Sequence, residues 1–326
     1  ISMAPVFSSG MLYAADYEGR LVAVDAGTGR KAWDLKTDQA FSGGPGFDND
    51  RLYMGTIDGR VIAYDRNGGS ELWNSQVSSE VLTPPATGDG IVVVRCIDGR
   101  VFGLDGVSGR RLWIHDHNVP LLTLRGNPDL LIRGGVVFVG YDDGSVTSLR
   151  VEDGSVIWSQ VIAAQDGRTE LDRLADIGQK MVLVASDLIV SSYKSRVVSL
   201  AADSGRLLWF KDISSATGVQ VDRTNLAVSE KNGDLWMLDR RNGSTIWKLD
   251  QMTNRGLTRP AFYGNYVVVG DMEGYLHWLD SDLGAFVARV RAGKKGFAAA
   301  PLTVGTTLYV LTMKGELVAY RAGAAI

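Results

Sequence analysis

Short, largely apolar runs separated by glycine-centred turns fill almost the whole chain. Runs such as Leu52–Thr56 and Val61–Asp65 are about five residues long, which is typical of strands. A turn of the Asp-Gly or Asn-Gly type joins the two runs of many pairs, because glycine adopts a positive φ at low cost. No window shows the 3.6-residue period of a helix, so the pattern predicts consecutive β-hairpins.

One unit of about forty residues repeats eight times. Its turn residue stands at positions 19, 59, 99, 144, 195, 233, 274 and 315, and it is glycine everywhere except at Ser195. A proline precedes it by fourteen positions in five units, at Pro5, Pro45, Pro85, Pro260 and Pro301. Each unit has room for four short strands, the size of a propeller blade. The sequence therefore predicts an all-β fold, an eight-bladed β-propeller of four-stranded antiparallel blades, as a single domain over residues 1–326.

A tryptophan follows the turn residue by fourteen positions in six of the units. One four-stranded sheet cannot bury both of its faces alone, so stacked blades must bury them against each other. A large aromatic side chain at a fixed place in the repeat is suited to fill that contact. We therefore predict a structural role at the blade interfaces for six residues: Trp33, Trp73, Trp113, Trp158, Trp209 and Trp247.

Aspartates recur in or beside the turns. Carboxylates at such positions accept hydrogen bonds from nearby backbone amides. We expect this turn-capping role, rather than metal ligation, for six of them: Asp16, Asp25, Asp65, Asp105, Asp239 and Asp280.

The repeat is incomplete at its end. The seventh unit has Ala288 where the first six have tryptophan, and the eighth would place its tryptophan at position 329, past Ile326. A blade without its outer strand leaves an open sheet edge. We expect residues upstream of Ile1 to supply the outer strand of the eighth blade.

Two consecutive units are longer than the others, since the intervals between tryptophans are 40, 40, 45, 51 and 38 residues. The first extra segment contains Val119–Gly126 and the second contains Arg168–Asp176. Insertions in a repeat array map to loops on one face and often carry function. The leucines of the first segment either fold back over the blade edge or form an exposed apolar patch. Such a patch, rimmed by Arg125, Arg173 and Asp176, has the composition of a protein-binding site.

Composition and charge exclude several classes. The net charge is -3 and the basic residues form no stripe, so the signature of a nucleic-acid-binding protein is missing. No run of eighteen apolar residues is present, so the sequence contains no candidate transmembrane helix. The single cysteine, Cys96, lies in an apolar strand pattern, Ile91–Ile97, and is expected to be a buried free thiol.

No catalytic constellation emerges from the remaining polar residues. The three histidines are His115, His117 and His277, and neither a cysteine nor a third histidine accompanies the first two as a metal ligand set would require. The chain has no nucleophile elbow, phosphate loop or dinucleotide fingerprint. The paired carboxylates of Asp142 and Asp143 are expected to be solvated turn residues. The sequence therefore predicts a non-enzymatic protein without metal or cofactor.

Several motifs carry a resemblance to known propellers. The unit Val22–Trp33, Val-x-Ala-x-Asp-x-x-Thr-Gly-x-x-x-Trp, resembles the repeat of the pyrroloquinoline-quinone (PQQ) dehydrogenases. More specific are the LTLRG segment (Leu122–Gly126), the TELDRLAD segment (Thr169–Asp176) and the stretch Val267–Ala288. These resemble the BamB family, the propeller lipoproteins of the bacterial outer-membrane β-barrel assembly (BAM) machinery.

The resemblance to the BamB family implies a scaffold lipid-anchored at the periplasmic face of the outer membrane, where it binds the POTRA domains of BamA. It implies that the partner-binding residues are Leu122, Leu124, Arg125 and Asp176, with Arg173 beside them. The second aspartate of the family motif falls at Gly178 here. Asp172 or Arg173 is then the residue that could replace its contact.

Three alternatives remain open at this stage. A PQQ-dependent dehydrogenase would need a bound Ca²⁺ and usually a vicinal cysteine pair, which a single cysteine cannot supply. A generic propeller hub would bind some other partner. A further hypothesis is that an open blade edge pairs with nascent outer-membrane β-barrel clients by β-augmentation.

Overall fold

Short antiparallel strands joined by tight turns make up the part of the chain that the structure describes. The structure is a computed structural model, and it describes residues 3–120, 128–163, 177, 180–193 and 195–321. Within these residues it contains strands and turns but no helix, and accordingly none of them forms a helix that could span a bilayer. The chain divides into two compact units, Met3–Ile177 and Gly178–Ile326.

The first unit contains four sheets of four antiparallel strands, and within each sheet the strands follow chain order. We number the sheets 1 to 4. Sheet 1 consists of β1 (Val6–Ser8), β2 (Met11–Ala15), β3 (Arg20–Asp25) and β4 (Lys31–Lys36), and sheet 2 of β5 (Phe41–Phe47), β6 (Arg51–Thr56), β7 (Arg60–Asp65) and β8 (Glu71–Gln76). Sheet 3 consists of β9 (Ala86–Gly88), β10 (Ile91–Arg95), β11 (Val101–Asp105) and β12 (Arg111–His115), and sheet 4 of β13 (Leu131–Arg133), β14 (Val136–Gly140), β15 (Ser145–Arg150) and β16 (Val156–Val161).

The second unit contains sheets 5 to 8, built in the same way. Sheet 5 consists of β17 (Val182–Val184), β18 (Asp187–Ser191), β19 (Val197–Ala201) and β20 (Leu207–Lys211), and sheet 6 of β21 (Val219–Val221), β22 (Asn225–Ser229), β23 (Leu235–Asp239) and β24 (Thr245–Leu249). Sheet 7 consists of β25 (Ala261–Tyr263), β26 (Tyr266–Gly270), β27 (Tyr275–Asp280) and β28 (Phe286–Arg291), and sheet 8 of β29 (Leu302–Val304), β30 (Thr307–Leu311) and β31 (Leu317–Tyr320). Among the described residues sheet 8 has three strands, and the origin of a fourth from upstream of Ile1 stays a prediction.

The second and third strands of each sheet form the hairpin that the turn residues predict. In sheet 2, Leu52–Thr56 and Val61–Asp65 lie in β6 and β7, which pair from Arg51 opposite Asp65 to Gly55 opposite Val61. Gly59 has a φ of 79°, and a Cβ there would lie 2.9 Å from the Ser79 carbonyl oxygen. The turn therefore needs glycine for its conformation and for the close passage of the following connection.

Buried apolar clusters lie between successive sheets within each unit. One cluster joins Tyr53 and Trp73 of sheet 2 to Val94 and Phe102 of sheet 3. In the second unit, another joins Trp278 of sheet 7 to Leu308 and Val310 of sheet 8. Each sheet therefore buries its apolar face against its neighbour, as the repeat pattern predicts.

Candidate partner-binding site

The repeated tryptophans connect successive sheets through a hydrogen bond as well as through packing. The indole N–H of Trp73 in sheet 2 donates to the carbonyl oxygen of Gly106 in sheet 3 at 3.1 Å, and that of Trp113 donates to Val151 of sheet 4 at 2.8 Å. Equivalent hydrogen bonds join sheet 1 to sheet 2 and, in the second unit, sheet 5 to sheet 6 and sheet 6 to sheet 7. These further bonds run from Trp33 to Arg66, from Trp209 to Arg240 and from Trp247 to Ser281.

A glycine of the next sheet packs against the indole of five of the six repeated tryptophans, all except Trp158. A Cβ on Gly154 of sheet 4 would lie 2.5 Å from the ring of Trp113, and the same holds for Gly109 against Trp73. Both glycines have a φ of 72°. The glycine turn between the third and fourth strands of a sheet therefore also packs against the tryptophan of the preceding sheet.

A small residue faces most tryptophans across the sheet, a feature that sequence analysis missed. The signal in the sequence is a small residue ten positions before the tryptophan, which five of the six units have. Trp113, for example, lies opposite Gly103, which leaves room for its ring. The other pairs are Ala23–Trp33, Ala63–Trp73, Ser148–Trp158 and Ser199–Trp209, with Met237–Trp247 the exception in size. Trp158 is buried, and its ring centroid lies 5.9 Å from that of Phe138.

The turn aspartates cap backbone amides, as predicted. The Asp105 carboxylate accepts hydrogen bonds from the amides of Val107 and Ser108, at 3.2 and 2.8 Å. The hydrogen bonds from the Ser108 hydroxyl and amide hold the pKa of Asp105 below its usual range. Equivalent amide bonds reach Asp16, Asp25, Asp65, Asp239 and Asp280.

Two long connections interrupt the regular spacing. The first long connection, residues 116–130, joins β12 to β13, and the second long connection, residues 162–181, joins β16 to β17. The predicted partner-binding residues fall on them but lie outside the described residues: Leu122, Leu124, Arg125, Arg173 and Asp176. Gly178 also lies outside them, so their roles stay predictions.

The described ends of both long connections meet at one hairpin turn of sheet 4, residues 141–144. A Cβ on Gly140, just before this turn, would lie 2.6 Å from Pro128 of the first connection and 2.9 Å from Ile177 of the second. The amides of Ile162 and Ala163, where the second connection begins, both donate to the Gly144 carbonyl oxygen, at 2.9 and 3.2 Å.

His117 attaches the start of the first long connection to the same turn. Its Nε2 lies 2.9 Å from Asp143 Oδ2, and its ring stacks on Tyr141 with 3.6 Å between centroids and 15° between planes. Burial alone would raise the pKa of Asp143, but hydrogen bonds from His117 and Ser145 outweigh it and hold that pKa below its usual range. The Asp143 carboxylate is therefore ionised at neutral pH and suited to hold the imidazole.

The expectation that Asp142 and Asp143 are both solvated is wrong for Asp142, which is buried. Its side chain is 2% exposed and forms an ion pair at 2.8 Å with Arg95 of β10, whose side chain is fully buried. The Arg95 guanidinium also lies 5.1 Å from the centroid of the Tyr141 ring. A single sequence gives little sign of this pair, because the two residues are 47 positions apart and meet only when sheets 3 and 4 pack.

The remaining candidates for chemistry have structural partners. His277 is buried, with Nε2 2.8 Å from Asp271 Oδ2. Cys96 is a buried free thiol, as predicted, and burial raises its pKa. Across the described residues no three or more histidine, cysteine, aspartate and glutamate side chains gather as a metal site would need.

Comparison with known proteins places these features in a family. The family model described as outer membrane protein assembly factor BamB matches residues 17–249. The BamB protein of Pseudomonas aeruginosa is 49% identical over 98% of this chain and 84% of its own length. The crystal structure of BamB from Moraxella catarrhalis matches with a TM-score of 0.91 at 25% identity, covering 98% of this chain and 96% of the other.

These comparisons confirm the predicted fold, an eight-bladed β-propeller. The quinohemoprotein alcohol dehydrogenase of Comamonas testosteroni also matches, with a TM-score of 0.74, but at 14% identity over 95% of this chain and 70% of that chain. That likeness extends to the fold alone, whereas the similarity in sequence is to assembly factors. The chain therefore belongs to the BamB family of outer membrane protein assembly factors and is not an enzyme.

Proposed function

We propose that this protein is a non-enzymatic scaffold of the BAM complex that binds the POTRA domains of BamA and so assists the folding and insertion of outer-membrane proteins. The observation that carries the proposal is similarity to BamB proteins along almost the whole chain, 49% identity over 98% of its length in one case. We place the protein at the periplasmic face of the outer membrane, held by an N-terminal lipid anchor as in the family.

The proposed contact uses Leu122, Leu124 and Arg125 from the first long connection and Asp176 from the second, with Arg173 beside it. Leucines supply apolar anchors, while arginine is among the residues that most often dominate binding energy at protein interfaces. Charged residues at the rim mainly guide association and fix register. The convergence of the described ends of both connections on one turn supports a single contact surface formed by both.

Binding to purified POTRA domains of BamA tests the proposal. We expect Leu124→Ala and Arg125→Ala each to weaken binding by at least tenfold, since anchor residues cost about 2 kcal/mol or more when truncated. Calorimetry gives the dissociation constant, and thermal unfolding should give an unchanged Tm if both residues act only in the partner contact. Leu283→Ala and Arg110→Ala serve as matched controls, since both side chains are exposed on turns elsewhere. If both test variants bind like the parent, the assigned contact is wrong.

A further inference from the structure

A stretch of sheets 7 and 8 carries positive charge without any carboxylate. Between Asp282 and Glu316 the chain has five lysines and arginines but neither aspartate nor glutamate, although the net charge of the whole chain is -3. All five side chains are exposed, and none of them forms an ion pair within the described residues. The five cations are Arg289, Arg291, Lys294, Lys295 and Lys314.

Backbone hydrogen bonds hold the connection between β28 and β29 against the hairpin turns of sheets 7 and 8. The Gly293 amide donates to the Gly274 carbonyl oxygen at 3.2 Å. The Gly296 amide donates to the carbonyl oxygen of Met272, in the same turn of sheet 7, at 2.8 Å. The sheet 8 turn is attached as well, since the Met313 amide donates to the Gly296 carbonyl oxygen at 3.1 Å. The two lysines between these glycines and the lysine of the sheet 8 turn therefore lie at the same end of the two sheets.

The two arginines of β28 extend this positive surface. Tyr275, directly after the sheet 7 turn, pairs with Arg291 across β27 and β28. The guanidinium carbons of Arg289 and Arg291 lie 4.9 and 5.2 Å from the centroid of the Tyr275 ring. Arg291 Nε also donates to the Gly293 carbonyl oxygen at 3.3 Å. A tyrosine ring attracts cations but does not neutralise them, so both charges remain available to an anionic ligand.

Exposed methionines stand among the five cations. Met272 in the sheet 7 turn is 57% exposed, and Met313 in the sheet 8 turn is 62% exposed. The exposed carboxylates at these turns are Glu273, which lies 3.5 Å from Arg255, and Glu316. The five cations therefore outnumber the local carboxylates, and they share their surface with two long apolar side chains.

We propose that the five cations and the two methionines bind the surface of an anionic phospholipid bilayer. Lysine and arginine side chains are attracted to the phosphates of an anionic leaflet, and apolar side chains beside them enter the layer below the headgroups. The methionines favour a bilayer over an acidic peptide, because a bilayer has an apolar layer directly beneath its charged groups. The inference rests on the proposed function for the placement of the protein at the outer membrane.

Such a contact determines which side of the protein faces the membrane. A protein held by a lipid anchor, as proposed above, meets the bilayer at a high effective concentration. A contact that is weak by itself is then sufficient to orient it.

Co-sedimentation of the chain with lipid vesicles tests the proposal. One set of vesicles contains phosphatidylethanolamine and phosphatidylglycerol, and in the other set phosphatidylcholine replaces the anionic phosphatidylglycerol. We expect the parent to bind the anionic set more tightly, and raised salt to weaken this binding. The double variant Lys294→Ala with Lys295→Ala should weaken it at least about tenfold, since each cation near such a surface changes partitioning about fivefold.

Two further double variants serve as controls. Arg206→Ala with Arg223→Ala removes the same charge and should bind like the parent. Both arginines are exposed beside turns at the strand ends opposite to the hairpin turns between the second and third strands. Lys294→Arg with Lys295→Arg keeps the charge and should also bind like the parent. All variants should keep the parental Tm, because the substituted side chains are exposed.

A fluorescent label shows which end of sheets 7 and 8 approaches the lipid. An environment-sensitive dye is attached to Met313→Cys or, as the control, to Leu283→Cys, while buried Cys96 is shielded from labelling. Leu283 is 75% exposed but lies between β27 and β28, at the opposite end of β27 from the sheet 7 turn. We expect the dye emission to shift to the blue on anionic vesicles at position 313 and to stay unchanged at position 283.

The outcomes distinguish this proposal from the proposed function. Equal binding of the parent to both sets of vesicles, or unchanged binding of the Lys294→Ala and Lys295→Ala variant, would overturn it. It would also be overturned if this variant lost POTRA binding and kept vesicle binding, because the surface would then recognise a protein. The vesicles contain no POTRA domain, so normal POTRA binding by Leu124→Ala and Arg125→Ala would refute the proposed contact and leave the vesicle result standing.

Discussion

Trp278 lies directly opposite Ala288 across strands β27 and β28. In the first six sheets the tryptophan stands on the fourth strand, and a residue that is small in five of the six faces it from the third. Sheet 7 exchanges the two, so that the large residue comes from the third strand. Paired residues in an antiparallel sheet project from the same face, and Trp278 packs in the cluster that contains Leu308 and Val310 of sheet 8. Ala288 is therefore not a missing interface residue but the small member of an exchanged pair.

Returning the pair to the usual order should be tolerated far better than the loss of Trp278 alone. Trp278 is 7% exposed, so Trp278→Ala should lower the free energy of unfolding by about 3–5 kcal/mol. Ala288 is itself exposed, so Ala288→Trp alone should change the free energy of unfolding by only about 0.5 kcal/mol. In the double variant one large and one small side chain share the face again, so its loss should be well below the sum.

Urea unfolding of the parent, both single variants and the double variant gives the coupling energy between the two positions. Val287→Trp is the control, because Val287 is 54% exposed at the adjacent position of the same strand. Strictly additive losses would show that the two positions do not share one packing space.

The buried pair of Arg95 and Asp142 should behave asymmetrically under substitution. Asp142→Ala leaves a buried guanidinium without its carboxylate, which typically destabilises a protein by about 3–5 kcal/mol. Replacing both residues with apolar ones, as Arg95→Met with Asp142→Leu, removes the desolvation cost of both charges. We expect the double variant to be more stable than Asp142→Ala.

Thermal unfolding at neutral pH orders these variants. The exposed ion pair of Arg150 with Asp153 in the same sheet is the control, and breaking it with Asp153→Ala should change the stability by at most about 1 kcal/mol. Equal losses for Asp142→Ala and Asp153→Ala would mean that burial adds nothing to the importance of the Arg95 pair.

Acid should selectively remove the stabilisation provided by Asp271, whose side chain is fully buried. Burial by itself raises the pKa of this carboxyl, but hydrogen bonds from His277, the Tyr275 amide and Arg255 outweigh it. The pKa therefore lies below its usual range. A carboxyl with a lowered pKa in the folded state stabilises the protein above its unfolded pKa of about 3.9, and the effect is lost as the pH falls through the folded value.

Comparison of the parent with Asp271→Asn across pH measures this contribution. The parent should have the higher Tm at pH about 7, and the difference should shrink below pH about 4 as the carboxyl is protonated. A difference that remains constant down to pH about 2 would show that the charge of Asp271 does not contribute to stability.

The forty-residue repeat in the sequence is by itself sufficient to predict the β-propeller fold. A turn glycine such as Gly59 and a tryptophan such as Trp73 lie at fixed spacing, and both report local needs, a positive φ and a large apolar side chain, that a sequence displays directly. The role of the turn aspartates was also predictable from the sequence, because the amides that they cap lie within a few residues of them. The spacing of the tryptophans likewise revealed where the repeat lengthens.

Only the tertiary structure decided how residues from different sheets meet. Arg95 joins Asp142, His117 joins Asp143, and Pro128 and Ile177 share the space beside Gly140 because sheets pack across distances of up to about fifty residues. The periodicity of one strand specifies which of its faces is buried but not which side chain lies opposite in the neighbouring sheet. The burial of Asp142 and the exchange of Trp278 with Ala288 therefore became visible only when the strands were assembled.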